Sequence, residues 1–151
     1  MKAISLKQPW ANLVACGYKT LETRTWSAGY RGDLLICSSA SGEIEPTGCA
    51  LALVNLVDCR EMEDGDAEAA CILRYPEAKV FVLEDIRLVR PFPVRGSLNI
   101  YELPFSVDDL VFEDAPGKAA FTGKYDVESY YKKTQEYVDK GEPLEFGELA
   151  W

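Results

Sequence analysis

The arrangement of short β-rich segments is the feature that most constrains the fold of this chain. Six stretches have the apolar or alternating pattern of strands: KAISL, KTLETRTW, DLLICSS, CALALVNLVDC, AKVFVLEDIRLV and the end of RPFPVRGSLNIYEL. Three stretches have helical patterns: QPWANLVACG, EDGDAEAACILRYP and DVESYYKKTQEYVDKG. Since helices do not alternate regularly with strands, a doubly wound sheet is disfavoured. The pattern predicts an α+β fold, a small mixed β-barrel of about six strands flanked by helices.

Local signals mark where several of these elements begin, bend or end. Gly17 is a natural stop for the first helix, and Asp126 and Gly141 are a natural cap and stop for the last one. The longest β-rich segment contains charged residues at its centre, so we predict a bend near Glu84 and Asp85.

Composition limits the class of protein and of site. A chain of 151 residues predicts one domain with a sizeable core, and 48% apolar residues are ordinary for a soluble protein. No apolar run reaches the length of about 18 residues that a membrane helix needs, and the N-terminus lacks the apolar core of a signal peptide. We therefore expect a cytoplasmic protein without a membrane partner.

The cysteine and histidine content limits the chemistry. Five cysteines are widely spaced without a CxxC pair, and histidine is absent. The pattern favours free thiols in apolar surroundings over a zinc site, so we expect neither a metal nor a cofactor. Ser-His and Cys-His catalysis is excluded, and any acid–base chemistry must use other side chains.

The distribution of charge limits the partners. The chain carries a net charge of −9, yet residues 1–40 contain five basic and two acidic side chains, a balance of +3, which leaves −12 for the remainder. This asymmetry argues against a protein that coats nucleic acid or binds long duplex DNA. It favours a local site for an anionic ligand.

The segment GYKTLETRTW is the candidate for that site. On a strand, Glu22 and Arg24 point to the same face, roughly 6.5–7 Å apart, and Trp26 continues it. The preceding helix end brings Lys19 towards the same face. Cations for phosphate, a carboxylate for amino or hydroxyl groups and an aromatic surface together make a plausible nucleotide pocket. The alternative is a cross-strand salt bridge on a solvated face, which contributes about 0–1 kcal/mol to stability.

A longer stretch around this segment resembles a known family. SLKQPWANLVACGYKTLETRTW, followed by YRGDLLICSS and later by VLEDIRLVRPFPVRGSLNIYEL, is similar to the ASCH domain, named for activating signal cointegrator homology, of the PUA-like superfamily. The family motif GxKxxExR is matched by Gly17, Lys19, Glu22 and Arg24. The likeness covers about residues 1–103. We interpret residues 104–151 as a C-terminal extension with one helix, packed on the same domain, and expect its tail either to pack through Phe146 and Trp151 or to be disordered.

The resemblance implies a small barrel with a cleft that binds RNA or nucleotides. The partner expected on this basis is single-stranded RNA, a nucleotide or a nucleoside. Many relatives have a histidine where Cys37 stands, so one polar contact of the family is missing here. The predicted ligand-binding residues are Lys7, Gln8, Trp10, Lys19, Glu22, Arg24, Trp26, Ser38 and Arg95.

The resemblance leaves open whether the protein is an enzyme. Some relatives are amidohydrolases that deacetylate acetylated cytidine with a lysine, a threonine nucleophile and a glutamate; Lys19 matches the lysine, but Glu22 stands at the nucleophile position and Thr23 is expected to face away. Other relatives are single-stranded ribonucleases, for which Glu22 as base, Lys19 as acid and Arg24 as phosphate clamp form a complete set. A third alternative is an interaction domain that binds no nucleotide.

Overall fold

A computed structural model describes residues 1–113 and 126–141, together with the backbone of residues 145–146 and 149–150. The strands are β1 (Lys2–Leu6), β2 (Leu21–Arg24), β3 (Gly32–Ser38), β4 (Cys49–Glu61), β5 (Lys79–Pro93), β6 (Ile100–Glu102), β7 (Glu145–Phe146) and β8 (Leu149–Ala150). The α-helices are α1 (Trp10–Ala15), α2 (Ala67–Ala70) and α3 (Val127–Lys140), and two short 3-10 helices lie at Asp64–Asp66 and Val107–Asp109.

One mixed sheet organises the fold. Its six strands run in the order β2-β5-β4-β3-β1-β6, and β7 pairs with β8 in a separate hairpin. The pair β1 and β3 is parallel, with Ala3 opposite Leu35 and Leu6 opposite Ser38, whereas the other pairs are antiparallel. The α+β prediction and the rejection of a doubly wound sheet are therefore confirmed.

The sheet is curled into a half-barrel. Three strands separate β2 from β1, which would put them about 19 Å apart in a flat sheet, at about 4.8 Å per strand. Yet Nη2 of Arg24 in β2 donates a hydrogen bond of 2.9 Å to the carbonyl oxygen of Ser5 in β1. Irregular register between β4 and β5 accompanies this curl, and Asp85 has a φ of 51°, which confirms the predicted bend.

Helix α1 packs against β3, β4 and β5 of the curled sheet. Its Leu13 and Val14 are fully buried in the main hydrophobic core, as the apolar spacing of the sequence predicts. Gly17 ends the helical region with a φ of 80°, a conformation that glycine adopts without steric cost. The backbone N–H groups of Tyr18 and Lys19 both donate to the carbonyl of Leu13, so the chain reverses tightly into β2.

Helix α3 packs against this reversal. The Asp126 side chain caps it by accepting a hydrogen bond of 3.0 Å from the N–H of Glu128, and Gly141 ends it with a φ of 69°, as predicted. Tyr131 stacks on Tyr18 with ring centroids 4.6 Å apart. The predicted tail packing of Phe146 and Trp151 lies outside the side chains that the structure describes.

The described part of the chain contains no helix that is both long and apolar enough to cross a membrane. All five cysteines are free thiols: Cys37 and Cys71 are buried and the other three are partly buried.

Candidate functional site

The end of the sheet where β1 and β3 finish carries a cavity of about 500 Å³. Residues from distant parts of the chain line it, because the curl of the sheet brings β2 beside β1. The lining residues are Ser5, Leu6, Lys7, Trp10, Lys19, Glu22, Thr23, Arg24, Ser39, Ile72, Tyr75, Ser97, Leu98 and Asn99.

Lys19 lies at the base of this cavity. The tight reversal after Gly17 directs its side chain inwards, and only 1% of the residue is exposed. Its Nζ donates a hydrogen bond to the carbonyl of Ala70, at the end of α2, and lies 3.6 Å from Oε1 of Glu22. Burial lowers the pKa of the Lys19 amine below its ordinary value, and the Glu22 carboxylate opposes that shift without cancelling it.

Glu22 links the two cations of the motif. It is 8% exposed. Its Oε2 accepts hydrogen bonds of 3.1 Å from Nε and 2.9 Å from Nη2 of Arg24. Its Oε1 accepts a hydrogen bond of 3.0 Å from the N–H of Thr23 and faces Lys19. Both oxygens are therefore engaged within the protein.

Arg24 is held in one orientation by these contacts. Nε and Nη2 face Glu22, and Nη2 also donates to the Ser5 carbonyl. Its side chain is 24% exposed, and among the described residues its Nη1 has no partner. The alternative interpretation of the sequence was a cross-strand salt bridge on a solvated face. The ion pair between Glu22 and Arg24 is different, because both residues belong to β2 and the Glu22 carboxylate is buried.

The remaining walls add aromatic and polar surface. Trp10 and Tyr75 contribute aromatic side chains, and the exposed Lys7 adds a third cation. Ser39 and Asn99 offer hydroxyl and amide groups. The arrangement is suited to binding a planar group that carries negative charge, because aromatic side chains, hydrogen-bonding groups and a positive excess border one space.

Two predicted residues are packed into the protein instead of lining the cavity. Trp26 contacts Phe81 edge-on, with ring centroids 5.1 Å apart. Regular alternation predicted that Trp26 lies on the same face of the strand as Glu22 and Arg24, but β2 ends at Arg24. Gln8 is 1% exposed, and its Nε2 donates 2.6 Å to Oδ1 of Asn12 and 2.9 Å to the carbonyl of Pro46. Gln8 therefore fastens α1 to a neighbouring loop.

Two further predicted residues lie near the cavity without lining it. The Ser38 hydroxyl accepts a hydrogen bond of 3.1 Å from the N–H of Cys49, and the next residue, Ser39, lines the cavity. Arg95 is exposed and lies two residues before Ser97, which lines the cavity. Lys7, Trp10, Lys19, Glu22 and Arg24 are thus the predicted residues that the structure brings together.

Sequence reasoning missed the walls contributed by distant segments. Ile72 and Tyr75 follow α2, and Ser97, Leu98 and Asn99 lie in the loop between β5 and β6. The prolines and the glycine before Ser97 predict a turn in this loop, but no local pattern places the loop beside β2. Thr23 also lines the cavity, although alternation predicted that it faces away. The cavity therefore borders consecutive residues of β2, Glu22, Thr23 and Arg24, at the edge of the sheet.

Cys37 is not among the residues that line the cavity. It is fully buried next to Tyr101, and burial raises the pKa of its thiol to about 12, so it is not an acid–base group near neutral pH. Within the part of the chain that the structure describes, no group of three or more Cys, Asp or Glu side chains is placed to hold a metal ion.

Comparison with known proteins points to one family. The sequence profile of the ASCH domain matches residues 4–94. Activating signal cointegrator 1 from Homo sapiens is 27% identical over 126 aligned residues, which cover 66% of this chain and 22% of the human protein. The Mus musculus protein of that name is 26% identical with the same coverage. This chain therefore spans about a fifth of the length of these relatives.

Solved structures show the same fold. The crystal structure of ASCH from Zymomonas mobilis superposes with a TM-score of 0.55 at 16% identity, covering 68% of this chain and 86% of that one. Two single-substitution variants of the Zymomonas mobilis protein superpose with a TM-score of 0.54.

Proposed function

This chain belongs to the ASCH domain family, and we propose that it binds a nucleotide or a short single-stranded RNA element in the cavity around Lys19, Glu22 and Arg24. One observation carries the proposal: two cations flank a single buried carboxylate at the base of a cavity of about 500 Å³. The family's PUA-like fold supports the proposal, because it supplies the curl that creates this cavity.

The charge of the cavity suits a local anion. Its lining residues include three cations, Lys7, Lys19 and Arg24, and one carboxylate, Glu22. This positive excess lies on a protein with a net charge of −9. Long nucleic acids would meet repulsion from the rest of the surface, whereas a small phosphate-bearing ligand meets only the basic cavity.

The size and the walls of the cavity suit an unstacked base. Pockets for small ligands have volumes of about 300–1,000 Å³, and this one lies within that range. Trp10 and Tyr75 provide surfaces on which a base can stack, an interaction worth about 1–3 kcal/mol per base. Single-stranded RNA presents such bases, whereas a duplex keeps them stacked.

The position of Arg24 supports tight binding. Its Nε and Nη2 atoms are held by Glu22 and by the Ser5 carbonyl before any ligand arrives. A guanidinium that is already ordered loses less side-chain entropy on binding phosphate or a base edge. Nη1, which has no partner among the described residues, is then the atom expected to contact the ligand.

Binding measurements with matched variants test the proposal. We would titrate wild type, Lys19→Met and Arg24→Gln into fluorescein-labelled single-stranded RNA, follow anisotropy, and compete with unlabelled mononucleotides. We expect each variant to bind at least about tenfold more weakly, since charge-assisted contacts contribute about 1.5–3 kcal/mol. Lys132→Met is the control, because it removes the same charge from an exposed position on α3.

The outcomes of this titration are distinct. Wild-type affinity in both cavity variants would overturn the proposal, as would stronger binding to duplex RNA than to single strands. A weakened Lys132→Met would show that total charge, not the cavity, governs binding.

A hydrolase acting on RNA or a modified nucleoside is the second candidate, and the lowered pKa of Lys19 favours it. A buried amine that releases its proton more easily than usual is a better proton donor or acceptor near neutral pH. Glu22 is less suited to act as a base, because both of its oxygens already accept hydrogen bonds.

Turnover measurements decide between the two candidates. Wild type and Lys19→Met would be incubated with labelled single-stranded RNA and with acetylated cytidine, and products would be followed by mass spectrometry. Product formation that disappears in Lys19→Met would support the hydrolase. Binding without product would leave the cavity as a binding site.

A further inference from the structure

We propose that the cavity accepts a free nucleotide or the nucleotide at one end of a strand, and excludes nucleotides from the interior of a strand. This inference rests on the proposed function and specifies its ligand. It follows from the different charges on the two sides of the cavity.

A second, acidic depression adjoins the cavity behind Tyr75. It has a volume of about 260 Å³ and shares Tyr75 with the cavity as a common wall. Three carboxylates and one guanidinium border it, from Glu61, Asp64, Glu77 and Arg74. A chain that left the cavity past Tyr75 would enter this depression directly.

The acidic character of this depression persists after its ion pairs are counted. Arg74 lies 3.5 Å from Asp64, and Lys79 lies 2.5 Å from Glu61. Asp64 and Glu61 are nevertheless 91% and 73% exposed, so their charges face solvent, and Glu77 is exposed as well. Phosphate groups entering here would therefore meet like charge.

The side of the cavity formed by the end of β1 and the segment before β6 is basic. Lys7 is exposed at the mouth, and the exposed Arg95 lies in the segment that continues into the lining residues Ser97 and Leu98. Leu98 is 85% exposed at this rim and offers an apolar contact to a departing base. The phosphate groups of a strand that extends from the cavity on this side would therefore lie near cations.

A strand that passed through the cavity would need a phosphate on each side of the bound nucleotide. One of them would lie by Lys7 and the other would lie among the carboxylates behind Tyr75. A nucleotide at the end of a strand needs only the phosphate that lies by Lys7. The asymmetry therefore selects strand ends and free nucleotides through repulsion of the alternative.

A comparison of linear and circular RNA tests the inference. We would use a single-stranded RNA of about twenty nucleotides, longer than the 4–16 nucleotides that small single-strand-binding domains cover, and its ligated circle. Anisotropy titrations should show that the linear form binds at least about tenfold more tightly than the circle. A mononucleotide should displace the linear form. Equal affinities that are both lost in Lys19→Met would overturn the inference while leaving the proposed function intact.

Charge variants test the cause of the exclusion. Asp64→Asn combined with Glu77→Gln removes two carboxylates from the acidic depression and should bring the affinity for the circle to within about threefold of that for the linear form. Asp33→Asn combined with Asp108→Asn is the matched control, because it changes the net charge equally at exposed residues that line neither depression.

Each outcome bears on the inference. Unchanged exclusion of the circle in the Asp64 and Glu77 variant would overturn the electrostatic reasoning, and so would equal relief in the control variant. If neither RNA nor mononucleotide binds, the inference fails together with the proposed function.

Discussion

Replacing Glu22 by glutamine should destabilise the fold, because it leaves a buried cation without its counter-charge. The side chain of Lys19 is 1% exposed and lies 3.6 Å from Oε1 of Glu22. Removing one member of a buried ion pair costs about 3–5 kcal/mol. Arg24 adds little to this cost, since its side chain is 24% exposed and water replaces part of the lost contact.

The expected loss lies at the lower end of that range. Glutamine keeps the shape of the side chain and an acceptor for the N–H of Thr23. Lys19 also retains its hydrogen bond to the Ala70 carbonyl. We therefore expect the free energy of unfolding to fall by about 3 kcal/mol, which corresponds to a decrease in Tm of about 10 °C for a domain of this size.

The loss should depend on pH. Because the pKa of Lys19 is lowered in the folded state, the unfolded chain binds more protons between that value and the ordinary lysine pKa of about 10.4. The free energy of unfolding therefore rises with pH through this interval. Without the Glu22 carboxylate, which raises the pKa of Lys19, the interval extends to lower pH. The variant should therefore recover part of its stability as the pH is raised towards the ordinary lysine pKa.

Urea denaturation followed by circular dichroism measures these effects in a double-mutant cycle. Lys19→Met removes the buried charge, so combining it with Glu22→Gln should restore most of the stability that Glu22→Gln alone loses. The reasoning is refuted if Glu22→Gln unfolds within about 0.5 kcal/mol of wild type, the range of ordinary surface substitutions. It is also refuted if the two substitutions are additive.

Two further predictions concern residues away from the cavity. Cys37 should resist iodoacetamide at pH 8 in the native protein while the partly buried Cys16 is modified, because a pKa of about 12 leaves only about one Cys37 thiol in ten thousand ionised; peptide mass spectrometry measures this, and equal labelling of the two would contradict it. Asp126→Ala should lower the free energy of unfolding by about 1 kcal/mol through loss of the α3 cap, whereas the exposed Asp139→Ala should have little effect in the same urea experiment.

The elements that local chemistry specifies could be predicted from the sequence. The apolar spacing of α1, the Asp126 cap and the Gly141 stop of α3, and the bend at Asp85 all depend on interactions between near neighbours in the chain. The motif around Lys19, Glu22 and Arg24 belongs to the same class. Its charges lie within six consecutive positions after the turn, so the strand geometry itself brings Glu22 and Arg24 to one face.

Some residues that were assigned to the site by extending a local pattern do not line the cavity in the structure. In the sequence, Trp26 continues the alternation of β2, but the strand ends before it and its ring packs on Phe81. Gln8 and Ser38 lie close in sequence to lining residues, yet their hydrogen bonds secure the loop at Pro46 and the start of β4. For these positions, competition between burial in the core and exposure in the cavity decided the outcome.

By itself, the sequence determined the α+β class, the strand and helix segments and the charged centre of the cavity, because these follow from periodicity, capping and residue spacing. Only the tertiary structure decided which distant segments complete the walls of the cavity. Tyr75 and Asn99 reach it from segments more than fifty positions beyond Arg24. They lie beside β2 because the sheet curls until Arg24 contacts Ser5, a contact between two strands that three others separate in the sheet, and residue spacing along the chain does not specify such a contact.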